Sequence, residues 1–280
     1  MRSLMLDKIV AHTRRIGYHF GKNLTIGREK FLMRGYYATR LNYSDRHEPF
    51  LGLVLTRCMN SSSGAFIDVG VNVGQTLMKV LSIDRHRQYF GFEPQIGCAY
   101  FVDQFLRLNA LRNATVLPIA LSDSNKILTL YSHGQYDEMA TIVRNHDVRS
   151  PDDVEITRIQ ARIGDEVLRE LGVEGIAVIK IDVEGAELSV MLGLRETLRT
   201  RHPAIIFEVL PNFFGHDRVM HCADICVKNQ ANANAIYEFL INLGYSIFQI
   251  SDDGAELAID HFRLDDREAY IGGNYIARVP

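Results

Sequence analysis

The residues that could do chemistry fall into two groups. The first is the run Phe66-Ile67-Asp68-Val69-Gly70-Val71-Asn72-Val73-Gly74-Gln75-Thr76, followed by Glu93. Gly70 and Gly74 let the backbone approach a ligand closely or adopt positive φ. The helix expected to start at Gln75 offers free N–H groups to a carboxylate or phosphate. A dinucleotide fingerprint starting at Gly70 requires glycine at 72 and 75, where Asn72 and Gln75 stand. A triphosphate loop requires Lys after Gly74, where Gln75 stands. What remains is D-x-G-x-N-x-G, which suits a small zwitterionic nucleoside of unspecified kind. Asp68, or a water on it, can meet the amino-acid portion. Glu93 ends the next strand, where a carboxylate can accept from both ribose hydroxyls. Taken alone, Glu93 reads rather as an exposed strand-end residue; with the loop it forms a specific pair.

The second group is Lys180-Ile181-Asp182-Val183-Glu184-Gly185-Ala186-Glu187, joined by Phe207-Glu208-Val209. Asp182, Glu184 and Glu208 are expected to crowd one pocket rim. Crowded carboxylates raise one another's pKa and can supply a general base. Oxygen ligation of a divalent cation is another use of such residues, but no residue is assigned to a metal. Glu187 is expected to cap the following helix, where negative charge is favourable.

The elements that must hold these residues alternate. Ala65–Val69, Tyr89–Phe92, residues 115–119, 177–181 and 204–209 read as short apolar strands. Residues 76–81, 101–108, 164–171, 188–198 and 233–243 read as helices, the last stopped by Gly244. Residues 127–131 alternate like a hairpin arm, and 245–250 and 275–279 are two final strands forming an antiparallel edge. The expected fold is α/β, a Rossmann-like sheet of seven mostly parallel strands, one antiparallel, with helices on both faces. Ligands in such sheets bind at the carboxyl ends of the strands.

These segments resemble the FkbM family of S-adenosylmethionine-dependent methyltransferases. The likeness rests on Ile67–Gly70, Phe92-Glu93-Pro94, Ala120-Leu121-Ser122-Asp123, Lys180–Glu187 and Phe207-Glu208-Val209, in that order, and covers about residues 48 to 250. It implies the class I methyltransferase fold, S-adenosylmethionine as cofactor, and O-methylation of a hydroxyl on a carbohydrate, glycolipid or related metabolite. By position, Asp68, Gly70, Asn72, Gly74, Gln75 and Glu93 would line the cofactor site, with Ala120 and Leu121 near the adenine. Asp182 and Glu184 would face the transferred methyl, with Glu208 next to them. The chain departs from the family at Val71, usually Ala, and at Ile163-Gly164-Asp165, often Leu-Asp-Asp. An N-methyltransferase, a small-metabolite methyltransferase and a cofactor-binding module without catalysis remain alternatives, since fold alone does not choose.

The 280 residues carry a formal net charge of −3, which gives no case for nucleic acid as a partner. Residues 1–46 hold ten Lys/Arg against three Asp/Glu. Residues 1–60 are expected to form a basic helical extension, amphipathic over 4–20, and 61–280 the methyltransferase domain. The extension could serve as a lid, as surface packing or in a homodimer. Four cysteines without a framework spacing, no secretory signal and no apolar run of spanning length give a cytoplasmic protein without stable membrane insertion. His216, His221, Cys222 and Cys226 lack the usual zinc spacing and are expected to shape the acceptor pocket. His133, Tyr136, Asp137 and Glu138 read as a solvated polar loop.

Overall fold

The computed structural model describes residues 21–34, 48–134, 136–137, 139–143, 154–210, 213–214, 218–219, 223–264 and 273–280. In chain order the elements are β1 (Lys22–Ile26), β2 (Glu29–Met33), α1 (Pro49–Ser61), β3 (Ala65–Val69), α2 (Gln75–Ile83), β4 (Tyr89–Phe92), α3 (Ile96–Leu108), β5 (Ala114–Leu117), β6 (Ala120–Ser122), β7 (Lys126–Ser132), β8 (Glu155–Ile163), α4 (Gly164–Glu170), β9 (Ile176–Ile181), α5 (Glu187–Gly193), α6 (Arg195–Arg201), β10 (Ala204–Glu208), β11 (Phe213–Phe214), β12 (Arg218–Val219), α7 (Ala223–Asn242), β13 (Ser246–Ile250), β14 (Glu256–Ala258) and β15 (Asn274–Arg278).

The main sheet runs β14-β13-β15-β10-β9-β3-β4-β5. Strands β5, β4, β3, β9 and β10 are parallel, and β15 is antiparallel to both β10 and β13. The seven-stranded sheet with one reversed strand is therefore present, and the short β14 adds an eighth. The reversed strand is not at an edge, as its sequence suggested; it is inserted between β10 and β13.

Both faces are covered. The side chains of β3 alternate, Phe66 packing with α1, α2 and α3 and Ile67 and Val69 packing with α4, α5, α6 and α7. All five residues of β3 and all six of β9 are buried, as expected of central parallel strands. Strands β6, β7 and β8 form a separate small sheet, with β7 and β8 antiparallel. A Cβ on Gly193 would lie 1.9 Å from the Ser122 carbonyl oxygen, so a glycine here lets α5 press against β6. That contact holds Ala120 and Leu121 beside the carboxyl ends of the main sheet.

Several elements differ from expectation. The region 1–60 is not uniformly helical: β1 and β2 form a hairpin whose Ile26, Phe31 and Met33 enter the core. Helix α1 also buries Leu51, Val54 and Leu55 in that same core. The expected helix 188–198 is two helices, α5 and α6, meeting at Leu194. The amphipathic segment 4–20 lies outside the described residues. No helix among the described residues is long and apolar enough to cross a membrane.

Candidate active site

A cavity of about 310 Å³ opens at the carboxyl ends of β3, β4, β9 and β10. Gly70, Asn72, Gln75, Glu93, Ala120, Leu121, Asp182, Glu184 and Glu208 all line it. Asp68 and Gly74 do not. Gly74 sits at φ 85° and starts α2.

Asp68 is a correction. Its carboxyl is fully buried and accepts a hydrogen bond from the Tyr89 hydroxyl, so it does not reach the cavity. Its Oδ1 has no hydrogen-bond partner among the described residues. Burial pushes Asp68 up to about 6, with Lys180 and the Tyr89 hydroxyl pulling the other way and Asp182 adding to the rise. Residue 68 shares the side of β3 that Phe66 uses, which is why the side chain is buried rather than exposed to the ligand. Lys180 lies opposite it on β9. That ammonium donates to Asp182 Oδ2 at 2.7 Å and is itself buried. Burial works against its charge, but Asp182 and Asp68 outweigh that and hold the ammonium above its ordinary range. Lys180 thus links a buried carboxyl below the loop to Asp182 in the cavity wall.

The loop after β3 is built on backbone geometry. Gly70 has φ 91°, and a Cβ there would lie 1.8 Å from the Asp182 carbonyl oxygen. Asn72 occupies the left-handed region at φ 49°. The Glu93 carboxylate braces this turn: Oε2 accepts the Asn72 N–H at 2.7 Å and Oε1 accepts the Gln95 N–H at 2.8 Å. Burial pushes Glu93 up to about 7 against the pull of those two bonds, with Asp68 and Asp182 adding a smaller rise. Glu93 is therefore not an exposed strand-end residue.

The opposite rim differs. No described residue donates a hydrogen bond to the carboxyl groups of Glu184 or Glu208. Glu184 stands at φ 53°, in the sharp turn before α5. Burial pushes it up to about 8, and Asp182, Glu187 and Asp137 add to the rise while Lys180 opposes it. Burial and then Asp182, Glu184 and Glu187 push Glu208 up to about 9, again against Lys180. Glu187 is buried and accepts the Gly185 N–H at 3.1 Å and the Val183 N–H at 3.4 Å. It folds back on the turn rather than facing the cavity, in keeping with the structural role expected of it. Among the described residues, no three His, Cys, Asp or Glu side chains converge to hold a metal ion.

The segment after β7 is not simply solvated. Asp137 is buried and lines the cavity with Met139, Ala140 and Ile142. Thr141 donates its hydroxyl to the Glu184 carbonyl at 2.7 Å. Glu138 lies outside the described residues, as do His216, His221 and Cys222; Cys226 lies half-buried on α7. Sequence reasoning missed Lys180, Gln95 and Thr141 in the cavity wall and its supports. Lys180 carried a signal, a lone cation within the apolar run Val178–Ile181. Gln95 and Thr141 carried none, because their partners lie 42 and 43 residues away.

The Methyltransferase FkbM domain matches residues 68–247 of the chain. The chain belongs to the FkbM methyltransferase family. This FkbM domain is also similar to the AMB antimetabolite synthetase AmbE of Pseudomonas aeruginosa, 27% identical over 177 residues, covering 51% of this chain and 8% of that protein. The chain thus spans less than a tenth of that relative's length. Among solved structures it is similar to a methyltransferase FkbM from Methylobacillus flagellatus, with 16% identity, a TM-score of 0.39, and coverage of 70% of this chain and 42% of that one. It is also similar to an O-methyltransferase from Bacillus cereus solved with SAH, with 10% identity, a TM-score of 0.45, and coverage of 83% and 80%.

Proposed function

We propose that this FkbM domain transfers a methyl group from S-adenosylmethionine to a hydroxyl of a carbohydrate, glycolipid or related metabolite. The observation that carries the reading is the pairing, in one cavity, of the Gly70–Gly74 loop and Glu93 with the carboxyl groups of Asp182, Glu184 and Glu208. The donor set suits this cofactor. Each Glu93 oxygen accepts one backbone N–H and retains a lone pair for a ribose hydroxyl. Ala120 and Leu121 offer an apolar wall for a base. The carboxyl-rich rim suits a cation, and both the sulfonium and the amino group are positive.

When bound, S-adenosylmethionine supplies an already activated methyl group. The protein's task is to align an acceptor oxygen, exclude water and take up a proton. Asp182 is the leading base. Its Oδ2 is held by Lys180, and its Oδ1 has no donor among the described residues. Partial burial and the neighbouring carboxylates push Glu184 up to about 8 and Glu208 up to about 9, which favours their protonated forms at neutral pH. A cation placed among them favours their ionised forms. They then become acceptors for the substrate hydroxyl's proton, which leaves late because a hydroxyl's pKa lies far above theirs.

Thermal shift with S-adenosylmethionine, its demethylated product and NAD tests the cofactor. Stabilisation by the methyl donor is expected, and stabilisation by NAD alone would end the reading. Asp182→Asn and Glu184→Gln should each lower turnover by about 100-fold or more with cofactor affinity largely kept. Unchanged turnover in both variants would remove the base assignment.

A further inference from the structure

Gln95 follows the Glu93-Pro94 turn and is buried, yet neither the cofactor loop nor the carboxyl rim includes it. Its side-chain amide pairs with the backbone of a single residue 42 positions away. Nε2 donates to the Asp137 carbonyl at 3.1 Å, and Oε1 accepts the Asp137 N–H at 2.9 Å. A side chain here imitates the two-bond exchange of an antiparallel β pair. Glutamine is the residue that can do this, because a carboxylate lacks the donor and asparagine is one methylene shorter.

The neighbours extend this link in both directions. The Gln95 N–H is one of the two groups that fix Glu93. The Cys98 thiol lies 3.5 Å from Gln95 Oε1 and 3.9 Å from Asn72 Oδ1, on the glycine loop. On the far side, the Asp137 carboxylate accepts the His133 N–H at 2.8 Å and the Met139 N–H at 3.1 Å. Met139, Ala140 and Ile142 then form part of the cavity wall.

We propose that Gln95 is a positioning residue for the methyl-donor pocket, locking the wall around Asp137 to the Glu93 turn and so setting cofactor affinity rather than the chemical step. The kinetic part of this inference rests on the methyl-donor reading above; the structural part does not.

Two measurements on the full chain separate them. The first is amide hydrogen exchange of residues 136–143 in wild type and Gln95→Leu, without ligand. Exchange at Asp137 and Met139 should accelerate roughly tenfold or more, since two buried hydrogen bonds are removed, while exchange in β3 and β9 stays unchanged. Unchanged exchange at 136–143 would overturn the proposal whatever the cofactor is. The second compares KM for S-adenosylmethionine with kcat. Gln95→Leu should raise KM roughly tenfold and leave kcat within about twofold. A fall in kcat at constant KM would overturn it. Failure of the wild type to bind S-adenosylmethionine would instead break the functional reading, leaving the exchange result to decide the structural one. Gln95→Glu keeps the volume and the acceptor but loses the donor. It should show a smaller increase in exchange than Gln95→Leu, and serves if the leucine variant does not fold.

Discussion

Glu93 directly follows β4 and Glu208 ends β10 of the same sheet, both line one cavity, and both are pushed upward by burial, yet their carboxyl groups are held differently. Glu93 spends one lone pair of each oxygen on a backbone N–H and reaches about 7. Glu208 has no donor among the described residues, and burial with the charges of Asp182, Glu184 and Glu187 takes it to about 9. The first region is organised around holding its own backbone. The second, half-buried and open to the cavity, has no protein donors among the described residues and leaves its acceptors for a ligand. One rim of the cavity is braced by its own backbone and the other is left open to a ligand.

The joint between the two regions is the contact of Gly70 with the Asp182 carbonyl, and breaking it should have the largest effect. Gly70→Ala combines a positive φ with a backbone clash and should cost on the order of 4 kcal/mol or more. The expected result is a melting temperature lowered by about 10 °C or more with loss of cofactor binding. A melting temperature within two degrees of wild type would mean that the loop yields easily.

Glu93→Gln acts on the braced side alone. Its amide nitrogen would face either the Asn72 or the Gln95 N–H, donor against donor. Charge-assisted hydrogen bonds are worth about 1.5–3 kcal/mol, so cofactor affinity by calorimetry should fall roughly 10- to 100-fold. Retained affinity would show that the turn does not depend on the carboxylate.

Glu208→Gln acts on the open side and should have the smallest effect, in the opposite direction. Below about 4.5 the carboxyl is neutral whether the chain is folded or not. Between that value and about 9 the unfolded chain ionises while the folded protein retains its proton, so stability falls as pH rises across the window. The amide removes that loss. Its melting temperature should exceed that of wild type at pH 8 and match it near pH 4. In wild type, affinity for S-adenosylmethionine should rise from pH 7 to pH 9 by roughly threefold as Glu184 and Glu208 ionise; in Glu208→Gln that rise should shrink. A pH-independent difference between the two proteins would break the contrast.

The sequence showed where the chemistry lies more clearly than it showed how each residue serves it. Strands β3 and β4 are legible to the residue, because short apolar runs bounded by Gly, Pro or Asp have few alternatives. The hairpin β1–β2 is not, since Lys, Asn, Glu and Arg at its exposed positions hide the few side chains that reach the core. Strand β15 is legible as a strand, but its place is not, because nothing local states which neighbours it joins. At the site, the types of Asp68 and Asp182 looked alike. Only the parity of β3 separates them, sending Asp68 inward to Lys180 and Tyr89. Asp137 read as solvated because its partner Gln95 is distant in the chain, and long-range pairing of two polar residues leaves no periodic trace.

The inserted position of β15 has a consequence for how the molecule is made. Strands β10 and β13 share no ladder; they are joined only through residues 274–278. Without β15 the sheet is two incomplete sheets, β5-β4-β3-β9-β10 and β13-β14, each with a bare hydrogen-bonding edge. Every carboxyl end that shapes the cavity can form without that strand, but β10, which carries Glu208, remains an outer strand. The rim that carries Glu208 is secured only when β15 docks, and deleting residues 274–278 should expose two sticky edges.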